Sequence, residues 1–224
     1  MEHSSLTKTP LFRGLTSEEI EQVLTCLQAE KKHFERGRYI LREGDKVRSV
    51  GLVLSGGVNI ERDDFWGNRT ILGHVEPGQI FGETYACVPG EPLTVSVTAA
   101  AESEILFLDI GCMLTVCGNA CAVHNKLIGN LLAVTAEKNL RLSSRMAHIA
   151  PKTIRGRVLA YLAELAVRQG GQTVIVPFDR QQMADYLGVE RSALSGELSK
   201  MRKEGILDAH KNVFRILMGA DGPR

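Results

Sequence analysis

The spacing of apolar residues changes character several times along the chain. The stretch "LTSEEIEQVLTCL" repeats its apolar residues every three or four positions behind a Thr/Ser cap, which predicts a helix from about 17 to 28. From about 33 to 109, short alternating runs such as "RYILREGD" and "EILFLD" are separated by Gly-based turns. This pattern predicts antiparallel strands that form a compact barrel or roll.

The period becomes helical again from about 111 to 147. An apolar stripe runs through this segment, with further apolar residues beside it: Leu127, Leu131, Val134 and Leu142, then Ile128, Leu132 and Leu140. A helix that is apolar on more than one side must bury one face in its own domain and another elsewhere. We expect the second face to form a coiled-coil-like seam with a second copy of the chain. The alternative is a helix packed on two sides within one monomer.

The stretch "AHIAPKT" predicts a hinge, with Pro151 in the first turn of the next helix. That helix, "KTIRGRVLAYLAELAVRQ", ends at two glycines, and "TVIVPF" after it is typical of a short strand.

Residues 179–204, "DRQQMADYLGVERSALSGELSKMRKE", carry the pattern of two helices joined by a tight turn. Asp179 caps the first helix, with Gln182 three residues later. Gly188 takes the turn, and small or apolar residues face inward on both helices: Met183, Ala184, Leu187, Leu194, Leu198 and Met201. "ILDAHKNVFRIL" then predicts two strands around a Lys-Asn turn. Together these features predict a winged helix-turn-helix, against the plainer alternative of a helical hairpin.

In such a domain the first residues of the second helix reach base edges in the major groove. Those residues are Arg191, Ser192 and Ser195. Arg191 is suited to a bidentate contact with guanine, and its alternative role is a surface ion pair with Glu190 or Glu197. Three further cations are candidates for phosphate contacts: Arg180, Lys200 and Lys211.

Charge and composition agree with this interpretation. The 224 residues carry a net charge of +1, but residues 1–147 hold 15 Lys and Arg against 18 Asp and Glu, whereas residues 148–224 hold 12 against 8. A basic second half favours a polyanionic partner. We find no transmembrane run, no signal peptide and no motif of a hydrolase, metalloprotease or nucleotide-triphosphate-binding loop. The chain is therefore expected to be a cytoplasmic protein that is not an enzyme and does not enter a membrane.

The order of these parts resembles the cyclic-AMP receptor protein/fumarate–nitrate regulator (CRP/FNR) superfamily of bacterial transcription factors. The resemblance rests on "PLFRGLTSEEIEQVL", "LSGGVNI", "PGQIFGE", "TIRGRVLAYL" and "DRQQMADYLGVERSALSGELSKM". It implies an α+β fold, in which a β-roll of the cyclic-nucleotide-binding, cupin-like jelly-roll type (1–110) precedes a long dimerisation helix (111–147) and a winged helix-turn-helix (148–224). It also implies a homodimer on palindromic double-stranded DNA, a small-molecule effector in the β-roll and RNA polymerase as a possible further partner.

The effector loop "GETYACVPGEPLTVSVTA" departs from the family pattern at one position. Cyclic-nucleotide-binding members carry Gly-Glu and then, about ten residues later, Arg-Ser/Thr-Ala, in which the Arg binds the cyclic phosphate. Gly82 and Glu83 match, with Thr84 beside them, and Thr94 matches the Ser/Thr, but Leu93 stands where the Arg would be. Removing a buried ionic partner costs about 3–5 kcal/mol, so we expect an effector other than cyclic AMP. The alternative is a cyclic-nucleotide-responsive regulator with a non-standard pocket, to which Arg62 or Arg69 supplies the charge.

Two further expectations follow from the resemblance. Ser143 lies where the family's long helix contacts the base of the nucleotide, so it is a candidate pocket residue. The reader helix keeps the first Arg of the family pattern as Arg191 and places Gly196 at the second, so the operator should differ from that of the cyclic-AMP receptor protein.

Five cysteines without a signal peptide argue against a disulfide scaffold. Cys112, Cys117 and Cys121 precede His124 at near-helical spacing, so a redox or metal sensor is a second alternative. The plainer interpretation is that these cysteines are small buried apolar residues. The sequence specifies no cofactor.

Overall fold

The computed structural model describes residues 3–63, 66, 69–114 and 122–217. Its helices are α1 (His3–Leu6), α2 (Ser17–Cys26), α3 (Glu83–Ala86), α4 (Ile110–Leu114), α5 (Ala122–Ile149), α6 (Ile154–Gln169), α7 (Arg180–Leu187) and α8 (Arg191–Lys203). Its strands are β1 (Glu30–Phe34), β2 (Tyr39–Leu41), β3 (Ser49–Ser55), β4 (Val58–Asp63), β5 (Arg69–Val75), β6 (Ile80–Phe81), β7 (Ser96–Ala99), β8 (Ser103–Asp109), β9 (Thr173–Ile175), β10 (Leu207–His210) and β11 (Val213–Ile216).

Contacts divide the chain into a first unit, Met1–Glu137, and a second unit, Lys138–Arg224. The division falls inside α5, whereas the predicted boundaries were 110/111 and 147/148. Those boundaries stay predictions, and each unit is described separately below.

The first unit is the predicted antiparallel roll. Its eight strands form two four-stranded sheets, ordered β1-β8-β3-β6 and β2-β7-β4-β5, and every pair of neighbours is antiparallel. The strands that pair are mostly distant in sequence, as in a jelly roll. The predicted α+β fold is therefore confirmed.

Alternation along the central strands builds two cores on the two faces of one sheet. On β3, Val50 and Leu52 join the core that contains α2 and the start of α5, whereas Val53 faces the interior of the roll. On β8, Leu106 belongs to the first of these cores, and Ile105 faces the interior of the roll. Successive side chains of a strand point to opposite faces of the sheet. A run such as "ILFL" in β8 is therefore apolar throughout, because both faces of the sheet are covered.

Helix α2 is shorter than predicted, since it ends at Cys26 instead of about 28. Gln28 adopts φ 47°, which lies outside the right-handed helical region and stops the helix. At the other end Thr16 and Glu19 form a capping box, with the Thr16 N–H donating to Glu19 Oε2 at 2.8 Å.

The apolar stripe predicted along the long helix is divided by the structure. Leu127 and Leu131 are buried in the first unit, and Val134 is partly buried against them. Leu142, which we placed on the same stripe, is exposed within the single chain. Within the predicted helical segment 111–147, the structure describes α4 up to Leu114 and α5 from Ala122, and residues 115–121 lie outside the described part of the chain.

The second unit is the predicted winged domain. Strands β10 and β11 pair around Lys211 and Asn212, and β9 adds to β11 in the sheet order β10-β11-β9. We predicted that Pro151 would lie in the first turn of α6, and this prediction is wrong. That helix begins at Ile154, because the Thr153 side chain caps it by accepting the Gly156 N–H at 3.0 Å.

Candidate nucleic-acid interface and effector pocket

Local capping and one glycine fix the turn between α7 and α8. Asp179 and Gln182 form the predicted capping box, in which the Gln182 N–H donates to Asp179 Oδ1 at 2.8 Å. Gly188 ends α7 at φ 62°, a left-handed conformation that glycine adopts without a steric penalty. The inward residues are buried as predicted: Met183, Ala184, Leu187, Leu194, Leu198 and Met201. The two helices therefore cross with a fixed geometry.

The outer face of α8 begins with the predicted reader residues. Arg191, Ser192 and Ser195 are all exposed. In the described part of the chain Arg191 makes no ion pair. Glu197 instead binds Arg155 at 2.7 Å, and Glu190 accepts a hydrogen bond from the Ser192 hydroxyl. The ion-pair alternative for Arg191 is thus removed, and its guanidinium is available to a ligand.

Further basic side chains lie along α8 and between α7 and the wing. Lys200 is exposed on α8, whereas Arg202 is tied to Asp208 at 3.0 Å. The guanidinium of Arg180 lies 5.4 Å from the centroid of the Phe214 ring and donates to the Lys211 carbonyl at 3.4 Å. Partial burial lowers the pKa of Arg180 below its ordinary value. Arg180 and Lys211 are brought together beside a cavity of about 460 Å³ between α7 and the wing.

The Gly-Glu loop of the first unit turns sharply into a short helix. Gly82 adopts φ 78° and precedes α3, whose first residue, Glu83, is buried at 6% exposure. Thr84 is exposed, and so is Thr94, whereas Leu93 is buried at 3% exposure. The position of the family's phosphate-binding Arg is therefore an apolar buried site in this chain.

Hydrogen bonds join the two halves of the loop. The Tyr85 hydroxyl lies 2.5 Å from Thr94 Oγ1 and accepts the Thr94 N–H at 3.4 Å. The Leu93 N–H donates to the Asp45 carbonyl at 2.8 Å. Both amides at this position are thus engaged within the protein. Sequence reasoning missed Tyr85, although an aromatic residue directly after Glu83-Thr84 was a visible signal.

Two acidic side chains are buried in the roll of the first unit. Glu61 on β4 is buried, as Glu83 is, and sequence reasoning did not single it out. In the described residues of this unit every Lys and Arg is at least partly exposed, and Arg62, one of the two proposed replacement cations, is exposed. The other, Arg69, has no described side chain.

The described residues do not bring the remaining candidates into a site. Ser143 belongs to the second unit, so its place in the pocket stays a prediction. Cys117 and Cys121 lie outside the described residues. His124 is buried on α5, and burial raises the pKa of the half-buried Cys112 thiol. No group of three or more His, Cys, Asp or Glu suited to a metal ion occurs in the described part of the chain.

Two family models match the two units. Residues 31–119 match the cyclic nucleotide-binding domain, and residues 156–218 match the Crp-like helix-turn-helix domain. The chain belongs to the CRP/FNR family of transcription regulators. It is 28% identical to a cyclic AMP receptor protein of Thermus thermophilus over 199 residues, which cover 89% of this chain and 88% of that protein.

Two further matches have a lower sequence identity to this chain. The transcriptional activator protein FnrL of Cereibacter sphaeroides is 24% identical over 79% of this chain and 71% of its own length. The structure of CprK complexed with OCPA shares the fold, with a TM-score of 0.63 at 18% identity over 88% of this chain and 89% of that chain. The matched relatives are regulators of transcription, as the sequence predicted when it favoured a DNA-binding protein over an enzyme. Among the described helices of this chain, none has the length and apolar character needed to span a membrane.

Proposed function

We propose that this CRP/FNR regulator binds a palindromic operator as a homodimer, and that an effector in the β-roll modulates this binding. The observation that carries the proposal is the exposed start of α8, where Arg191 follows a rigid turn and makes no ion pair in the described part of the chain. In a helix-turn-helix this end of the second helix enters the major groove.

The side chains divide into base readers and phosphate contacts. Arg191 donates to O6 and N7 of a guanine, and Ser195 contacts a neighbouring base edge. Ser192 does the same once its hydroxyl leaves Glu190. Arg180, Lys200 and Lys211 bind backbone phosphates, which fixes the register of the protein on the duplex. The chain then acts in the cytoplasm, where RNA polymerase is a further partner.

A second apolar face on α5 supports the homodimer. Leu132, Leu140 and Met146 are 69%, 67% and 68% exposed, although each is large and apolar. Leu132 lies about 100° around the helix from the buried Leu131, so this face differs from the one that packs in the first unit. Exposed apolar stripes on a helix are typical of a seam between two copies.

The effector we propose is a molecule other than cyclic AMP. A cyclic phosphate needs a compensating cation, and the candidate position holds the buried Leu93. The nearby amides of Leu93 and Thr94 are already bonded within the protein, and two acidic side chains of the roll, Glu61 and Glu83, are buried. These features favour a neutral or cationic effector over an anionic one.

A second candidate function is cyclic-nucleotide response through a non-standard pocket. It is favoured by the match of residues 31–119 to the cyclic nucleotide-binding domain and by the relative named a cyclic AMP receptor protein. A redox or metal sensor that uses Cys112, Cys117 and Cys121 stays the other alternative, and two of these cysteines lie outside the described residues.

One experiment tests the main proposal. Full-length protein is used to select duplexes from a random pool, and the selected DNA is sequenced. We expect an inverted repeat, bound by two chains, whose affinity falls steeply with salt. Recovery of random sequence would refute operator binding.

The dimer is tested by light scattering of Leu132→Glu beside the control Gln22→Glu, which adds a negative charge at an exposed position of α2, outside the proposed seam. Only the first change should yield monomers. If both variants keep the mass of the wild type, the seam lies elsewhere.

A further inference from the structure

The turn of the helix-turn-helix receives side chains from outside the motif. Arg145, near the end of α5, donates from Nη2 to the Asp185 carbonyl at 3.2 Å and from Nε to the Tyr186 carbonyl at 3.1 Å. Arg157 on α6 donates from Nη1 to the carbonyls of the next two residues, Leu187 and Gly188, both at 3.0 Å. Four consecutive carbonyls at the end of α7 thus accept hydrogen bonds from two guanidinium groups.

This arrangement fits the electrostatics of a helix end. The last carbonyls of an α-helix lack partners within the helix and carry the negative end of its dipole. Guanidinium groups supply both hydrogen-bond donors and a positive charge at that end. A glycine alone would end α7, but the two arginines also fix where the turn lies relative to α5 and α6.

The segment around Pro151 is held by the same side chains. The Nε of Arg157 donates to the Pro151 carbonyl at 2.9 Å. His148, buried on the last turn of α5, lies with Nε2 2.8 Å from Glu164 Oε2 and with Nδ1 3.0 Å from the Tyr186 hydroxyl. The end of α5 is therefore bonded to both α6 and α7, on either side of the predicted hinge.

Aromatic packing reinforces these bonds. The Tyr186 ring lies 5.1 Å from the Tyr161 ring and 5.0 Å from the Phe178 ring, and the guanidinium of Arg145 lies 5.5 Å from the centroid of Tyr186. Contacts across the whole chain agree, since they assign α5 from Lys138 onward to the second unit.

We infer that Arg145, His148 and Arg157 are positioning residues for operator recognition, because they join the last turns of α5 to the helix-turn-helix as one rigid body. The Pro151 segment is then a fixed link, because bonds from the end of α5 and from α6 hold it on both sides. Movement of α5 reaches α8 directly through these three side chains. The role in operator recognition rests on the proposed operator binding, whereas the rigid body does not.

The test replaces each arginine with glutamine in the full-length protein, and Lys152→Gln serves as the matched control. Lys152 is an exposed cation in the same linking segment. For Arg145→Gln and Arg157→Gln we expect affinity for the selected operator to fall by about tenfold, since hydrogen bonds from charged donors are lost. We also expect a smaller ratio between the affinities for the operator and for a duplex with one changed base pair.

This affinity ratio distinguishes a positioning role of the arginines from a role in folding alone. Loss of folded protein lowers both affinities alike and leaves the ratio unchanged. Arg145→Lys should give a ratio between those of Arg145→Gln and the wild type. Lysine keeps the positive charge but replaces the fork of guanidinium donors with a single ammonium. An unchanged ratio in both glutamine variants, at a temperature where they stay folded, would overturn the positioning role.

Hydrogen exchange tests the rigid body without DNA. In the wild type, the amides of residues 145–150 should exchange as slowly as those of α6, and Arg157→Gln should accelerate them together with the amides of Gly188 and Val189. Rapid exchange at 145–150 in the wild type would restore the hinge to Pro151 and refute the inference. If the selection finds no operator, the proposed function fails while this exchange experiment still decides whether the body is rigid.

Discussion

The substitution Leu93→Arg tests whether one residue determines the effector class. Leu93 is 3% exposed, so a guanidinium at this position is buried. Without a ligand it should lower the free energy of unfolding, offset in part if it pairs with a buried acid such as Glu83. With cyclic AMP bound, the arginine gains the phosphate as its partner.

The magnitude follows from the cost of an unmatched buried charge. Removing one partner of a buried ion pair costs about 3–5 kcal/mol, and each 1.4 kcal/mol is about tenfold in affinity. Cyclic AMP should therefore bind Leu93→Arg at least about a hundredfold more tightly than it binds the wild type. At about 100 times its dissociation constant it should add about 2.7 kcal/mol of stability to the variant and much less to the wild type.

The assay is calorimetric titration of both proteins with cyclic AMP, supported by thermal unfolding with and without the nucleotide. Leu93→Met is the control, since it keeps the volume and the apolar character. Equally tight binding to the wild type and to both variants would refute the reasoning from Leu93. No binding to a folded Leu93→Arg protein would show that the loop lacks the rest of the nucleotide site.

Four further outcomes follow from the second unit. Arg191→Ala should cost about 1–3 kcal/mol on the selected operator and relax base preference at one position of each half-site, as measured by repeating the selection; an unchanged profile would remove Arg191 as a reader. Lys211→Asn should lower DNA affinity about equally for all duplexes and reduce the salt slope by about one, as measured by anisotropy, while stability holds because asparagine tolerates φ 55°. Gly196→Ala should stabilise the protein by about 0.5–1 kcal/mol in urea unfolding, because nothing lies within 4 Å of the added Cβ; a destabilised variant would contradict this. Burial raises the pKa of Tyr161 from 10.0 to about 12, so the stability it contributes is complete below pH 10 and is lost as pH rises towards 12; Tyr161→Phe should flatten that loss in unfolding measured against pH.

Local signals were sufficient for the features that depend on neighbouring residues. The capping box at Asp179, the turn at Gly188 and the buried position of Leu194 each follow from spacing within a few residues, and the structure confirms them. The order of strands and helices followed in the same way, because alternation and helical periodicity identify the elements separately.

Features that depend on distant residues were not predictable from spacing. Apolar spacing alone could not tell that Leu142 would be exposed while Leu131 is buried, because it does not say how far along α5 the core of the first unit extends. The bonds from Arg145 and Arg157 to the end of α7 span 30 to 41 residues, and no motif marks them. Burial of Glu61 has the same origin, since its surroundings depend on β5 and β7, whose pairing with β4 is not specified by local spacing.

The most direct test of operator recognition by the paired α8 helices is a footprint of the protein on the selected duplex, together with the mass of the complex. We predict two chains per duplex and two protected major-groove segments about 34 Å apart, one helical turn from centre to centre. One chain per duplex, or protection that spreads evenly over any sequence and disappears with salt, would contradict the account.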